Sequence, residues 1–148
     1  MKKFVSLSLL LLVAMMSVSC GKKSSGGTTA PSPTPTTGTI SGRVSLPVGQ
    51  GGAVNNTRVA IYASFDDWNR DRVIVSAGAD GNGNYTLTNL TPGTYYLDAW
   101  RDNNQSGSIN AGDFFNVWGS GSYPNYTLSP IQVSAGNTTV VNLTLFII

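Results

Sequence analysis

The 148-residue sequence contains no histidine, no glutamate and only one cysteine, and its last lysine is Lys23. Without histidine, neither a Ser–His–Asp triad nor a histidine-based metal site can form, and no lysine after residue 23 remains for Schiff-base chemistry. Acid–base catalysis in the rest of the chain would have to depend on aspartate alone. We therefore predict that the protein is not an enzyme.

Charged residues are also scarce, at 11% of the chain. The formal charge of +2 depends on the N-terminal lysines, because five arginines and seven aspartates from residue 39 onward give a formal charge of −2. A domain with that balance lacks the electrostatic footprint of a nucleic-acid-binding protein. We expect no nucleic-acid partner.

The N-terminus has the pattern of an export signal. Lys2 and Lys3 precede an apolar run over residues 4–16, which small residues follow at 17–19. A membrane-spanning helix needs about 20 apolar residues, and this run is shorter. The pattern is typical of a secretory signal peptide, which we assign to residues 1–19.

The segment Ser17-Val18-Ser19-Cys20-Gly21 resembles the bacterial lipobox, in which the cysteine becomes the mature N-terminus and carries the lipid. The resemblance implies a bacterial lipoprotein that carries palmitate at Cys20, and several acyl chains on one residue anchor it stably in a membrane. The alternative is an ordinary signal peptide followed by an unpaired thiol, which is unusual in an exported protein. Gly21 after the cysteine permits sorting to an outer membrane. We expect a lipid-anchored protein of the bacterial cell envelope, at the outer membrane or cell surface.

A change of composition separates this anchor from the rest of the chain. Residues 20–38 are the lipidated cysteine and a stretch rich in Gly, Ser, Thr and Pro, which predicts a disordered linker. About 110 residues follow at 39–148, which is the size of one domain with a single core.

Apolar residues alternate with polar ones along most of that domain, at the period of two that indicates β-strands. Gly/Asn/Pro turn signals separate the runs, and no window has a sustained 3.6-residue apolar period. Seven strands and no helix are predicted, which indicates an all-β fold, a seven-stranded antiparallel β-sandwich. The predicted strands are centred on Ile40–Leu46, Val59–Ala63, Val73–Val75, Tyr85–Leu87, Tyr95–Ala99, Ile131–Val133 and Val141–Ile147.

Three segments and the last strand resemble, in this order, the carboxypeptidase regulatory-like domain: Thr39–Val44, Asp80–Leu87, Asn89–Leu97 and Val141–Ile147. The resemblance implies a prealbumin-like or Ig-like sandwich related to starch-binding modules. Despite the name of the family, we expect no peptidase, since no peptidase domain follows residues 39–148 in this sequence. The related collagen-adhesin modules use a Lys–Asn isopeptide bond, which a domain without lysine cannot form.

The segment Asp102–Asp113 (DNNQSGSINAGD) resembles an EF-hand-type calcium loop, especially the dockerin variety. The resemblance implies side-chain oxygen ligands at loop positions 1, 3, 5, 9 and 12, a carbonyl ligand at position 7 and glycine (here Gly107) at position 6. The residues at the ligand positions are Asp102, Asn104, Ser106, Ser108, Asn110 and Asp113. We predict a calcium cofactor with a Kd of about 10⁻⁴–10⁻³ M, as in extracellular modules.

The loop also differs from dockerin loops. Asp113 replaces the usual bidentate glutamate, no amphipathic helix flanks the segment, and there is one such loop where dockerins carry two. We therefore expect no cohesin-binding role. The alternative interpretation of the segment is a polar surface loop without a metal.

Two further clusters bear on function. The acidic segment Phe65–Arg72 is interpreted as a loop with local Asp–Arg pairs rather than a glycoside hydrolase site, or as a source of one calcium ligand from Asp66 or Asp71. Aromatic residues could form a platform on which sugar rings stack. They are Trp68, Trp100, Trp118, Tyr96 and Tyr123.

The sequence thus predicts a membrane-anchored cell-envelope lipoprotein whose β-sandwich has a structural or binding role and is stabilised by calcium. The alternative is a surface carbohydrate-binding module. The expected partners are the membrane, through the lipid anchor, and a protein or glycan ligand.

Overall fold

The structure is a computed structural model that describes residues 32–148, of which Pro33–Ile148 form one compact unit. The predicted signal peptide (1–19), Cys20 and the linker as far as residue 31 lie outside the described residues. Among residues 32–148, no helix is long and apolar enough to span a membrane.

The described chain consists of twelve short strands and one short helix. In order, these are β1 Gly38–Ser45, β2 Arg58–Tyr62, α1 Phe65–Asn69, β3 Val75–Gly78, β4 Asn84–Leu90, β5 Gly93–Arg101, β6 Phe114–Val117, β7 Gly119–Ser122, β8 Asn125–Leu128, β9 Ile131–Val133, β10 Thr138–Val140, β11 Leu143–Thr144 and β12 Phe146–Ile147.

The first sheet is built around β1. Strand β4 pairs with one edge of β1 in antiparallel orientation, while β10 and β11 pair in parallel with successive parts of its other edge. Between β10 and β11, the Val141 carbonyl packs directly against Gly42. Glycine is required there, because a Cβ at position 42 would overlap the carbonyl oxygen. The buried Tyr85 hydroxyl donates to the same carbonyl at 2.7 Å.

The second sheet has the order β12-β6-β5-β2-β3, and β9 pairs with the first residues of β5. All of its pairings are antiparallel. Successive side chains of a strand point to opposite faces. On β5, Leu97 and Ala99 therefore face inward, and Tyr96, Asp98 and Trp100 face outward.

The inner faces of the two sheets meet in one hydrophobic cluster, which makes the fold a β-sandwich. Ile40 and Leu87 from the first sheet and Ile61 and Leu97 from the second are all almost fully buried in it. Each such side chain contributes about 1.5–3 kcal/mol through burial. The outer face of the second sheet is thereby left for other packing.

The all-β fold class predicted from the sequence is confirmed, with differences in detail. The last predicted strand, Val141–Ile147, is divided into β11 and β12, and β10 precedes it as a strand that was not predicted. The pairing of β1 with β10 and β11 is parallel rather than antiparallel. The strand predicted at Val73–Val75 begins later, at Val75, and is β3. The hairpin β7–β8 was not predicted, because Gly119–Ser122 is exposed and has no apolar alternation.

The prediction of no helix is wrong at the acidic segment, where α1 replaces the expected loop. Ser64 caps it, since its hydroxyl accepts a hydrogen bond from the Asp67 backbone N–H at 3.1 Å. Asp66 and Asp67 in the first turn favour a helix N-terminus. Five residues are too few to produce a helical apolar period, so the capping pattern was the only signal.

Candidate functional site

The outer face of the second sheet carries a cluster of large side chains on three adjacent strands. Trp100 on β5 lies opposite Arg58 on β2 and opposite Phe115 on β6, and the Arg58 guanidinium lies 5.6 Å from the centroid of the Trp100 ring. A cation over an aromatic face is attracted by the ring quadrupole. These cross-strand pairs fix Trp100 at the centre of the face.

Helix α1 covers one side of this face. Its Trp68 indole N–H donates to Asp98 Oδ2 at 3.0 Å, and its ring makes an edge contact with Tyr126, with centroids 6.5 Å apart. The ring centroid of Phe65 lies 5.5 Å from that of Trp68 on the same helix. The helix therefore places Trp68 beside the cluster of sheet residues.

The hairpin β7–β8 covers another side. Tyr126 on β8 packs on Phe115, with ring centroids 5.4 Å apart. Tyr123 and Pro124 form the turn of the hairpin, and the peptide bond between them is cis. Phe115 is only 2% exposed although it points away from the hydrophobic core, because this hairpin covers it.

These elements enclose an open cavity of about 560 Å³, which we call the outer-face cavity. This volume lies within the range of about 300–1,000 Å³ that is typical of small-molecule sites. Its walls are α1 with the turn after it, the β7–β8 hairpin and one part of the predicted calcium loop. The aromatic lining residues are Trp68, Trp100, Phe115, Tyr123 and Tyr126, and the charged ones are Arg58, Arg70, Asp71 and Asp98.

A polar network connects the charged groups of the outer-face cavity. Arg58 forms an ion pair with Asp71 at 2.9 Å and donates to the Tyr62 hydroxyl at 3.0 Å. That hydroxyl lies 3.0 Å from Asp71 Oδ1 and 3.1 Å from Asp98 Oδ2, so Tyr62 bridges the two carboxyl groups. Burial raises the pKa of Tyr62, and the hydrogen bond from Arg58 lowers the pKa of Asp71.

Asp98 is the most deeply buried acid of this network, with 3% of its surface exposed. Burial raises its pKa to about 7, against the opposing effects of Arg58 and of the hydrogen bonds from Tyr62 and Trp68. Both donors contact Oδ2, and Oδ1 has no hydrogen-bond partner among the described residues. Since buried polar atoms are nearly always hydrogen-bonded, this unpartnered oxygen requires an explanation.

The predicted calcium loop follows β5 directly. Its candidate ligands lie close together: the Asn110 side-chain amide donates to the Ser108 carbonyl at 2.8 Å and to the Ser106 hydroxyl, and Asn104 Nδ2 donates to Asn110 Oδ1 at 2.7 Å. Asp102 accepts hydrogen bonds from the backbone N–H groups of Ser106 and Gly107. The oxygen atoms at loop positions 1, 3, 5, 7 and 9 therefore belong to one connected cluster.

Asp113, at position 12 of the loop, is fully buried. Its carboxylate accepts from the Trp100 indole N–H, from Asn103 N and from Asn110 N at 3.0–3.2 Å. A carboxylate has about four lone-pair sites, so about one remains for another partner. Through Trp100, Asp113 also connects the loop to the outer-face cavity.

Within residues 32–148, no group of three or more Asp or Cys side chains is arranged to hold a metal ion. A cation in the loop would therefore rely on amide, hydroxyl and carbonyl oxygens beside its two carboxylates. Such all-oxygen donors suit a hard cation such as calcium. The prediction of calcium here stays a prediction.

The structure brings some of the predicted aromatic residues together and separates others. Trp68, Trp100 and Tyr123 line the outer-face cavity. Trp118 packs against the hydrophobic core instead, and Tyr96 lies on the outer face of β5 but outside the cavity lining. Four of the aromatic and charged lining residues were missed: Arg58, Asp98, Phe115 and Tyr126.

The acidic cluster of α1 is held by arginines. Asp66 pairs with Arg70 and Arg72, Asp67 pairs with Arg72, and Asp71 pairs with Arg58. The expected local Asp–Arg pairs are thus present. These pairs engage the carboxylates of Asp66 and Asp71, the two residues that could have supplied a calcium ligand.

No protein-family model and no curated protein matches the chain. Several solved structures match at low similarity. Among them are the TIE protein of Bacillus anthracis (15% identity, TM-score 0.44), the minor pilin of Streptococcus agalactiae (12%, 0.45) and a Pseudomonas aeruginosa protein with a proposed carbohydrate-binding role (17%, 0.45). The matches cover 74%, 78% and 77% of this chain, which spans 16%, 46% and 92% of those chains respectively. At these values the similarities assign neither a family nor a function.

Proposed function

We propose that the protein is a lipid-anchored bacterial cell-envelope lipoprotein whose β-sandwich binds a neutral carbohydrate in the outer-face cavity. The observation that carries this proposal is the cavity itself, in which five aromatic side chains lie beside charged and polar groups. Sugar rings offer apolar C–H faces for stacking on aromatic rings and hydroxyl groups for hydrogen bonds. A cavity lined by both kinds of group matches that chemistry.

The charges around the cavity favour a neutral ligand. Arg58 is neutralised by Asp71, and Arg70 by Asp66, at 2.9 Å each. The remaining charged group of the lining is Asp98, which burial keeps partly protonated near neutral pH, with a pKa of about 7. No strong field of one sign is left to attract an ionic ligand.

The anchoring part of the proposal depends on the sequence. Cys20, in its lipobox-like setting, would carry the acyl chains, and residues 21–38 would hold the domain away from the bilayer. A ligand exposed at the cell envelope would then be within reach of the outer-face cavity.

We also propose that calcium binds the loop Asp102–Asp113. Asp102, Asn104, Ser106, Ser108 and Asn110 would hold the ion, and Asp113 would contribute from its buried position. Calcium would supply charge neutralisation and fix the loop. Because Gly107, Ser108 and Ile109 line the outer-face cavity, an ordered loop would keep one wall of the cavity in place.

The binding proposal is tested by calorimetric titration of the full chain in a sugar-free detergent. The probes are cellotetraose, maltotetraose, xylotetraose and chitotetraose. At least one is expected to bind, and Tyr123→Ala should weaken it about five- to tenfold, since one stacked ring contributes about 1 kcal/mol. Tyr123 is 52% exposed, so its truncation should leave the fold intact.

Tyr96→Ala is the matched control, because Tyr96 lies on the same face but outside the cavity lining. It should bind the sugar as the wild type does. Equal weakening by both variants, or binding of a proline-rich peptide with no sugar binding, would contradict the proposal.

A further inference from the structure

Asp98 presents a feature that packing alone does not explain. Its side chain lies in the wall of the outer-face cavity, and its Oδ1 atom is buried without a hydrogen-bond partner among residues 32–148. The other carboxyl oxygen, Oδ2, accepts from the Trp68 indole N–H and lies within hydrogen-bond distance of the Tyr62 hydroxyl, whose single proton it shares with Asp71. An unsatisfied buried acceptor costs about 1–3 kcal/mol, so a fold that only needed packing here would favour an apolar residue.

We propose that a small rotation of the Asp98 carboxyl group brings Oδ1 to the cavity surface, where it accepts a hydrogen bond from a hydroxyl group of the bound sugar, so that Asp98 orients the ligand and couples its affinity to the ionisation of this carboxyl. The inference rests on the proposed carbohydrate function and assigns the polar group that orients the sugar. Trp68 and Trp100 would hold the ring, and Asp98 would select a ligand with a hydroxyl group at the matching position.

The surroundings of Asp98 determine the direction of the coupling. The Tyr62 hydroxyl on β2 contacts it, and the charges of Arg58 on β2 and Asp71 after α1 act on it. Arg70 and Tyr126 line the same cavity, and the cross-strand neighbour of Asp98 on β6 is the neutral Val117. Arg58 and Arg70 are already paired with Asp71 and Asp66. Within the described part of the chain, no arginine forms an ion pair with Asp98, so a hydroxyl donor from the ligand would stabilise its ionised form.

A hydrogen bond to a charged group is roughly twice as strong as one between neutral groups. Ligand binding should therefore favour the ionised Asp98, and affinity should rise with pH. From the difference between a charged and a neutral hydrogen bond, we expect about a tenfold stronger affinity at pH 8.5 than at pH 5.5. The change should be centred near pH 7, where burial places the pKa of Asp98.

The experiment measures the affinity of the full chain, in a sugar-free detergent, for whichever of the four tetrasaccharides binds best, from pH 5.5 to 8.5. The wild type should show the rise and Asp98→Asn should be flat, because Trp68 and Tyr62 hold the amide oxygen and the non-titrating NH₂ group takes the position of Oδ1. The control Asp80→Asn changes an exposed carboxyl in the turn between β3 and β4 and should behave as the wild type does.

A second variant keeps the test decisive if Asp98→Asn does not fold. Tyr62→Phe removes a donor to Asp98 and should move the midpoint of the affinity change to higher pH. The carboxyl carbon signal of Asp98 in NMR should also titrate at lower pH when the sugar is bound. Sugar binding with a flat pH profile, or an Asp98 pKa that the sugar leaves unchanged, would overturn this inference alone. Absence of sugar binding at every pH would overturn the proposed function as well.

Discussion

The buried Asp98 should make the domain less stable as the pH rises, which is the reverse of the usual behaviour of an aspartate. Its pKa is about 7 in the folded protein and 3.8 for the unperturbed group. Between these values the native state binds more protons than the unfolded state, so the free energy of unfolding falls with increasing pH. The stability is fully present below the unfolded pKa and is lost as the pH rises through the folded pKa.

The size of the loss in unfolding free energy follows from the difference between the pKa values of Asp98 in the folded and unfolded states. Each pKa unit corresponds to about 1.4 kcal/mol, so the full loss from acid to alkaline pH is about 4 kcal/mol. About 3 kcal/mol of this unfolding free energy is lost between pH 5 and pH 8.5. In a domain of this size, that lowers the Tm by roughly 10 °C.

The composition of the chain makes this effect easy to isolate. The chain has no histidine, and hydrogen bonds lower the pKa values of Asp67, Asp71 and Asp80, away from neutrality. Asp98 is the carboxyl group of the described chain whose pKa burial raises to about 7, in the middle of the accessible pH range.

The assay is urea unfolding of the full chain in chelator at several pH values, for the wild type and for Asp98→Asn. The wild type should lose stability steadily between pH 5 and 8.5. The variant should show almost no slope and should be the more stable protein at pH 8.5. A wild-type stability that is constant or rises over this interval, or an equal slope in the variant, would refute the description of Asp98 as a buried, raised-pKa carboxyl.

Three further predictions concern other parts of the molecule. Calcium at tenfold its Kd should stabilise the wild type by about 1.4 kcal/mol and raise its Tm by several degrees. In thermal melts with and without chelator, Asp102→Ala should lose this increment and Asp80→Ala should keep it. A wild-type Tm that does not respond to chelator would contradict the calcium proposal. Labelled palmitate should enter the wild type and not Cys20→Ala, whereas equal labelling of the two would contradict the lipid anchor. Gly42→Ala should lower the free energy of unfolding in urea by about 3 kcal/mol, because the new Cβ overlaps the Val141 carbonyl. An unchanged urea midpoint would show that the two strands can move apart at this position without cost.

Much of the sandwich could be predicted from the sequence because its central strands alternate regularly. The runs Ile40–Leu46, Val59–Ala63 and Tyr95–Ala99 correspond to β1, β2 and β5, whose inward residues form the core. The elements that cover the outer face could not be predicted in the same way. Helix α1 has only five residues, and the β7–β8 hairpin is rich in exposed glycine and serine.

The candidate site could be predicted only in part from the sequence, for a related reason. Alternation along β5 places Asp98 and Trp100 on one face, and this much follows from the sequence. Arg58 and Phe115 flank Trp100 because their strands are the neighbours of β5 in the sheet. Tyr126 covers Phe115 because the β7–β8 hairpin folds back over the outer face. These are tertiary relations that no local pattern encodes.

The most direct test of carbohydrate binding in the outer-face cavity uses the three tryptophans of the chain. Their indole N–H groups give separate signals in a ¹H–¹⁵N NMR spectrum, and Trp68 and Trp100 line the cavity while Trp118 packs against the core. On titration with the tetrasaccharides, we predict that the Trp68 and Trp100 signals shift with saturation and that the Trp118 signal stays in place. Unchanged signals for all three, or a saturating shift of Trp118 alone, would contradict the account.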